Sequence, residues 1–232
     1  MKPRLIRIAP STLAIDCNNE EALDKALDQI QKAGANFLHV DIMDGIFVKN
    51  KTFDYTFVDK LRDKTSLMLD VHLMVENPDS VIDKYVEAGA DIISVHYEAC
   101  KDVVATLKKL RSKNVVVGLA LSPKTPALKI KELLSDGLID VVVVMGVKPG
   151  ACGQKFIPGM AEKVAEIREL DRNVFIEIDG GVTIKNAKIL RKMGANILVS
   201  GATIFNSKNM KKTIKQLKGK GLINNLQEYF KN

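Results

Sequence analysis

The stretch KAGANFLHVD, Lys32 to Asp41, returns in altered form as EAGADIISVH, Glu87 to His96, and as KMGANILVSG, Lys192 to Gly201. Each copy reads as a helix end, a Gly-Ala pair, an Asn or Asp, and then an apolar strand. A looser copy, SDGLIDVVVVMG, begins at Ser135. The glycines at 34, 89, 137 and 194 are 55, 48 and 57 residues apart. Self-similarity at such a period marks a repeated supersecondary unit, and these intervals are about twice one strand-plus-helix unit. Each interval therefore hides one further strand.

Four segments fill those places: RLIRIAPS from Arg4, SLMLDVHLM from Ser66, VVVGLALSP from Val115 and NVFIEIDGG from Asn173. Most of the eight runs are continuously apolar, the pattern of strands buried on both faces of a parallel sheet. Between them, EEALDKALDQIQKAG, SVIDKYVEAG and GMAEKVAEIREL carry apolar residues near i, i+3 and i+4, as amphipathic helices do. Eight β/α units in 232 residues predict an α/β fold, a (β/α)8 TIM barrel forming a single domain over residues 1–232. A doubly wound open sheet would carry a GxGxxG fingerprint after its first strand, where this chain reads APSTLAID. The tail after Asn206 reads as the last barrel helix followed by a short terminal helix, LINNLQEYF.

Composition narrows the function classes. Hydrophobic residues make up 46% and charged residues 27%, the balance of a soluble globular protein. No apolar run approaches the about 20 residues of a membrane helix, and MKPRLIRIAPS has no signal-peptide core, so a cytoplasmic protein is expected. Cys17, Cys100 and Cys152 are odd in number and form no CxxC pair, which argues for free thiols. The net charge of +7 is spread over amphipathic stretches, dense only from Lys208 to Lys220. With 12 aromatics and no tryptophan, a solvated helix face outweighs a nucleic-acid surface. A positive field also suits a phosphorylated small substrate.

Polar residues interrupt the strands at their C-terminal ends. His39 and Asp41 share a face of the second strand, His72 and His96 lie on the third and fourth, and Asp179 closes the seventh. In a barrel these ends converge on one mouth. Two imidazoles and two carboxylates, His39, Asp41, His72 and Asp179, form a nitrogen and oxygen set suited to a divalent cation: Zn, Mn, Fe or Co. The alternative is hydrogen-bonded core histidines beside helix-capping aspartates. IDGGV from Ile178 and VSGATIF from Val199 place Gly-rich turns after strands seven and eight, where barrels often hold a phosphate. MGVKPGACGQKF, Met145 to Phe156, is a long loop able to close over a ligand.

The ordered motifs APS at Ala9, HVDIMDG at His39, DVHLMVENP at Asp70, HYEA at His96, PGACGQKFIP at Pro149, EIDGGV at Glu177 and SGATIF at Ser200 span nearly the whole chain. Together they resemble the ribulose-phosphate 3-epimerases. That resemblance implies a TIM barrel interconverting D-ribulose 5-phosphate and D-xylulose 5-phosphate in the pentose phosphate pathway. It implies one divalent cation, zinc foremost, on His39, Asp41, His72 and Asp179, with Asp41 and Asp179 also the acid/base pair. Epimerisation at C3 takes a proton from one face and returns one to the other, so carboxyl groups on both sides of an enediolate suit it.

By the same resemblance, Met43, Met74 and Met145 sheath the reacting carbons and Ser11 contacts the sugar. Gly180, Gly181, Gly201 and Ala202 bind phosphate with loop residues Gly150 and Gly153. Asp44 and Glu98 read as groups that orient loops or ligands. The chain departs from the family at Ile46, Lys49, Gly146, Lys148, Ala151 and Cys152, and at Ala202, which stands for a serine. These departures keep D-allulose 6-phosphate, one carbon longer, as an alternative substrate. A noncatalytic sugar-phosphate sensor also fits these motifs. A metal-free phosphate-binding barrel explains the Gly-rich turns but not two strand-end histidines beside two aspartates. Barrels of this kind often self-associate, so a homo-oligomer is expected, with neither nucleic acid nor membrane as partner.

Overall fold

The structure, a computed structural model, describes residues 5–219, and the expected helix over LINNLQEYF lies outside them. Eight strands alternate with helices along the chain. They are β1 (Arg7–Ala9), β2 (Phe37–Met43), β3 (Met68–Met74), β4 (Ile92–His96), β5 (Val116–Leu121), β6 (Val141–Met145), β7 (Phe175–Asp179) and β8 (Ile197–Val199). The helices are α1 (Glu20–Lys32), α2 (Tyr55–Lys64), α3 (Ile82–Glu87), α4 (Val103–Arg111), α5 (Lys131–Ser135), α6 (Met160–Leu170), α7 (Ile184–Met193), α8 (Ala202–Phe205) and α9 (Met210–Lys218). All strand pairs are parallel, in the order β1-β8-β7-β6-β5-β4-β3-β2. The ring closes between β1 and β2 through a bridge of Ser11 with His39, whose amide donates to the Pro10 carbonyl at 2.9 Å. The chain is thus a single-domain TIM barrel, as its repeats predict.

The repeat has a physical cause. Gly34, Gly89, Gly137 and Gly194 all adopt positive φ, from +65° to +117°, the left-handed turn that ends a helix without a Cβ clash. The Asn or Asp that follows then grips the strand before it. The amides of Asn36, Asp91, Asp140 and Asn196 donate to the carbonyls of Ile8, Leu69, Val117 and Ile176. Their side chains accept in return from the amides of those same four residues, at 3.1, 2.8, 2.9 and 2.6 Å. Each copy therefore clamps an even strand to its odd neighbour. This is why the period spans two β/α units.

Strand alternation sorts side chains into two stripes. Leu38, Val40, Ile42, Leu69, Val71 and Leu73 face the helices and join the main core. Phe37, Ala120, Val143 and Ile197 fill the barrel interior in a separate cluster. Met43, Met74 and Val48 form a third group at the mouth. Cys17, Cys100 and Cys152 are all free thiols. No helix among the described residues is long and apolar enough to cross a membrane.

Candidate active site

The inward stripe of β2 carries His39, Asp41 and Met43, and that of β3 carries Asp70, His72 and Met74. Their register pairs His39 with Asp70, Asp41 with His72 and Met43 with Met74. Histidine and carboxylate thus alternate across both strands, while β7 brings Glu177 and Asp179 from across the mouth. His39 Nε2 lies 3.4 Å from Asp41 Oδ1 and 3.9 Å from Asp179 Oδ2. His72 Nδ1 lies 3.4 Å from Asp41 Oδ1 and 3.6 Å from Asp179 Oδ2. The four residues each offer a ligand atom within 4.8 Å of the others.

Those two imidazole nitrogens are fully buried and have no hydrogen-bond partner. An unsatisfied buried polar atom costs about 1–3 kcal/mol, so two of them facing one point between two carboxylates require an explanation. A divalent cation at that point fits the donor set.

The charges agree. Burial opposes a proton on His39, yet Asp41 and Asp70 outweigh it and hold its pKa well above the ordinary value. Burial likewise opposes a charged His72, but the Asp179 and Asp41 carboxylates raise its pKa to about 9. Burial alone would raise the Asp41 pKa, but His39 and His72 hold it far below the carboxylate range. The cluster is an acidic cage that draws positive charge.

A lower layer supports it. His39 Nδ1 lies 2.7 Å from Asp70 Oδ2 and 3.3 Å from Glu177 Oε1, and both carboxyls are completely buried. A proton on Nδ1 directed at Asp70 leaves the Nε2 lone pair facing the cage, which is the arrangement a metal-binding histidine needs. Burial and the neighbouring Asp70 raise the Glu177 pKa to about 8. On the other side, His72 Nε2 meets His96 Nε2 at 3.0 Å, and His96 Nδ1 meets Glu98 Oε2 at 3.1 Å. Ser11 Oγ donates to Asp41 Oδ2 at 3.0 Å and accepts from the Leu13 amide at 3.2 Å, so it caps a turn and steadies a carboxylate at once.

Above the cage opens a cavity of about 450 Å³. Asp41 and Asp179 form part of its floor, with His39 and His72 beneath. Ser11, Met43, Met74, Met145, Gly150, Gly153, Gly180, Gly181, Gly201 and Ala202 all line it. Gly181, at φ +67°, has no room for a side chain, because a Cβ would stand 2.7 Å from the Phe156 amide nitrogen. The loop after β6 is latched to the loop after β2 by Asn50 Nδ2, which donates to the Gly150 carbonyl at 2.6 Å.

Asp44 orders that β2 loop, accepting from the amides of Ile46, Phe47 and Glu76. Gly146 is also explained: a Cβ there would lie 2.3 Å from the Gly180 carbonyl and 2.9 Å from the Phe156 ring. Lys148, Ala151 and Cys152 lie on the cavity rim. The sequence pattern by itself assigns no role to Asp70 or Glu177. The signal was present, since each sits two residues before a candidate ligand and so shares its face.

A model of the Ribulose-phosphate 3 epimerase family matches residues 7–205. A ribulose-phosphate 3-epimerase of Bacillus subtilis (strain 168) is 38% identical over 220 residues, covering 93% of this chain and 99% of its own. One from Rhodobacter capsulatus is 40% identical over 204 residues, 87% of each chain. Among solved structures, a 3-hexulose-6-phosphate synthase superposes with a TM-score of 0.66 over 92% of this chain and 98% of its own, at 17% identity. The alpha-subunit of tryptophan synthase from Pyrococcus furiosus, in a mutant form, gives 0.66 at 16% identity over 93% and 98%. Those two likenesses speak for the fold alone, whereas the family match and the relatives at 38–40% identity place the chain in the ribulose-phosphate 3-epimerase family, a group of carbohydrate epimerases.

Proposed function

We propose that this protein interconverts D-ribulose 5-phosphate and D-xylulose 5-phosphate by moving the C3 proton between Asp41 and Asp179. The observation that carries the reading is the pair of orphaned imidazole nitrogens, His39 Nε2 and His72 Nδ1, set between those two carboxylates on the cavity floor. His39, Asp41, His72 and Asp179 would hold a divalent cation there, and zinc suits the mixed set, as do Fe, Mn and Co. Such an ion supplies Lewis-acid polarisation that acidifies the proton beside the ketone.

The chain's own groups do the rest. Asp41 on β2 and Asp179 on β7 stand three strands apart round the ring, which suits carboxyls on opposite faces of a planar enediolate. One takes the proton and the other returns one, the division of labour that inversion at carbon needs. Ser11 steadies Asp41 through its 3.0 Å hydrogen bond. Met43, Met74 and Met145 present thioethers over the floor and offer no acidic proton to quench the intermediate. The phosphate would rest on the turns at Gly180–Gly181 and Gly201–Ala202, close to the N-terminus of α7. A soluble sugar phosphate as substrate is in keeping with a cytoplasmic location, and a homo-oligomeric state is in keeping with the general habit of soluble enzymes to self-associate.

The test is solvent-deuterium incorporation at C3 of D-ribulose 5-phosphate, followed by NMR with metal-loaded and chelated protein side by side. Metal-dependent exchange with formation of xylulose 5-phosphate is expected. D-allulose 6-phosphate runs in parallel, because Lys148, Ala151 and Cys152 alter the cavity rim. Exchange with the hexulose alone would move the substrate, and binding without exchange would make the protein a sensor.

A further inference from the structure

His72 differs from His39 in how it faces the cage. His39 turns Nε2 inward and gives Nδ1 to a carboxylate, the usual support for a metal-binding histidine. His72 turns Nδ1 inward, and its Nε2 meets another imidazole, His96, at 3.0 Å. The two ring planes lie 23° apart with centroids 5.0 Å apart, so the rings meet edge to edge and an N–H of one points at a lone pair of the other. Either ring could be the donor. Only a group outside the pair can decide.

That group is Glu98. Its Oε1 accepts from the Ser122 amide at 3.0 Å and from the Thr125 hydroxyl, and its Oε2 lies 3.1 Å from His96 Nδ1. An ionised carboxylate accepts hydrogen bonds and cannot donate them. His96 must then carry its proton on Nδ1, which leaves its Nε2 as a bare lone pair. His72 must donate from Nε2, and its own Nδ1 lone pair faces Asp41 and Asp179. The Phe47 ring packs over His96, with centroids 4.8 Å apart, and His96 is completely buried. No exposed face of His96 remains where water could exchange the roles. Lys163 Nζ in turn ties down the turn that holds Glu98, donating to the Ser122 and Pro123 carbonyls at 3.0 and 2.7 Å.

We propose that His96 and Glu98 form a tautomer relay that fixes the Nδ1 lone pair of His72 towards the cage, making Glu98 a positioning residue for a metal ligand it never touches. This rests on the reading that a cation lies among His39, Asp41, His72 and Asp179. Glu98→Gln is the informative change. A glutamine can satisfy the Ser122 amide and Thr125 with its carbonyl only by turning its NH2 to His96. That would reverse both imidazoles and aim an N–H of His72 at the ion.

The chain has three histidines, all in this site, so ring-15N NMR on the zinc-loaded protein resolves each tautomer without crowding. The expected result is His96 protonated on Nδ1 and His72 on Nε2. Glu98→Gln is expected to weaken zinc binding by about 10- to 100-fold in a chelator competition, the usual cost of losing an outer partner of a ligand. Zinc bound to a protein whose His96 carries its proton on Nε2 would overturn the relay and leave the proposed function standing. So would zinc affinity within twofold of wild type in Glu98→Gln. A wild-type protein that binds none of zinc, iron, manganese or cobalt would overturn the functional reading, and the relay with it.

Discussion

Replacing Asp41 or Asp179 by asparagine separates the two faces of the proposed reaction. Asparagine keeps the shape of the side chain, and at position 41 its oxygen can still accept from Ser11, now 3.0 Å from Asp41 Oδ2. What disappears is one proton carrier and one of the two negative charges facing His39 Nε2 and His72 Nδ1 at 3.4 to 3.9 Å. Loss of a positioned acid or base costs about 10²- to 10⁴-fold, and a tenfold loss corresponds to about 1.4 kcal/mol of barrier. At saturating zinc, which offsets the weaker cage, each variant should therefore epimerise about 10³-fold more slowly, a loss of about 4 kcal/mol. The remaining carboxylate still reaches its own face of C3. Each variant should thus wash deuterium into one epimer only, ribulose 5-phosphate for one variant and xylulose 5-phosphate for the other. Coupled rate assays and 1H NMR of the C3 position read both quantities. Epimerisation within tenfold of wild type, or exchange in both epimers by a single variant, would refute the two-carboxylate division.

In chelated protein His72 has a pKa near 9 against an ordinary 6.5. A raised folded pKa gives stability that is complete below about 6.5 and lost as pH climbs through 9, so the melting temperature of chelated protein should fall across that window while zinc-loaded protein holds steady. Asn196→Ala removes the clamp on the Ile176 amide, now bonded at 2.6 Å, and leaves a buried donor unpaired. Urea unfolding should show a loss of about 1–3 kcal/mol. Gly181→Ala forces a Cβ against the Phe156 backbone from a left-handed turn, so KM should rise more than kcat falls. Lys148→Asn removes a positive charge from the cavity rim, and kcat/KM should drop at low salt yet match wild type at high salt.

Much of this architecture was legible because the repeat encodes a clamp. Gly34 with Asn36, Gly89 with Asp91, Gly137 with Asp140 and Gly194 with Asn196 each need a left-handed turn and a short polar side chain two or, for Asp140, three residues later, and both requirements leave a mark in sequence. The cage was legible for a related reason, since polar residues in a buried strand stand out against their apolar neighbours. Asp70 and Glu177 stand out equally, yet their role depends on register. Only the pairing of His39 with Asp70 turns an isolated buried aspartate into the partner of a histidine. The latch from Asn50 to Gly150 joins residues 100 positions apart on two loops, and no local pattern announces such a contact.

The same distinction separates how tightly the floor and the rim are constrained. Every group of the cage sits on a strand, and each of those strands is held by ladder bonds and, at alternate seams, by an Asx clamp. A substitution at His39 would strand buried partners on β3 and β7, and one at Asp179 would strand partners on β2 and β3, at a cost of several kcal/mol in total. Rim residues answer to fewer constraints. Ala151 and Cys152 are exposed, and Lys148 projects from a loop whose fixed points are Gly150, through Asn50, and Gln154, whose amide donates to the Lys148 and Ala151 carbonyls. Gly146 is the instructive exception. Its missing side chain accommodates the Phe156 ring, and Phe156 in turn crowds Gly181. A change at Gly146 would therefore propagate through Phe156 into the proposed phosphate turn, so this one loop position ties the shape of the rim to the floor.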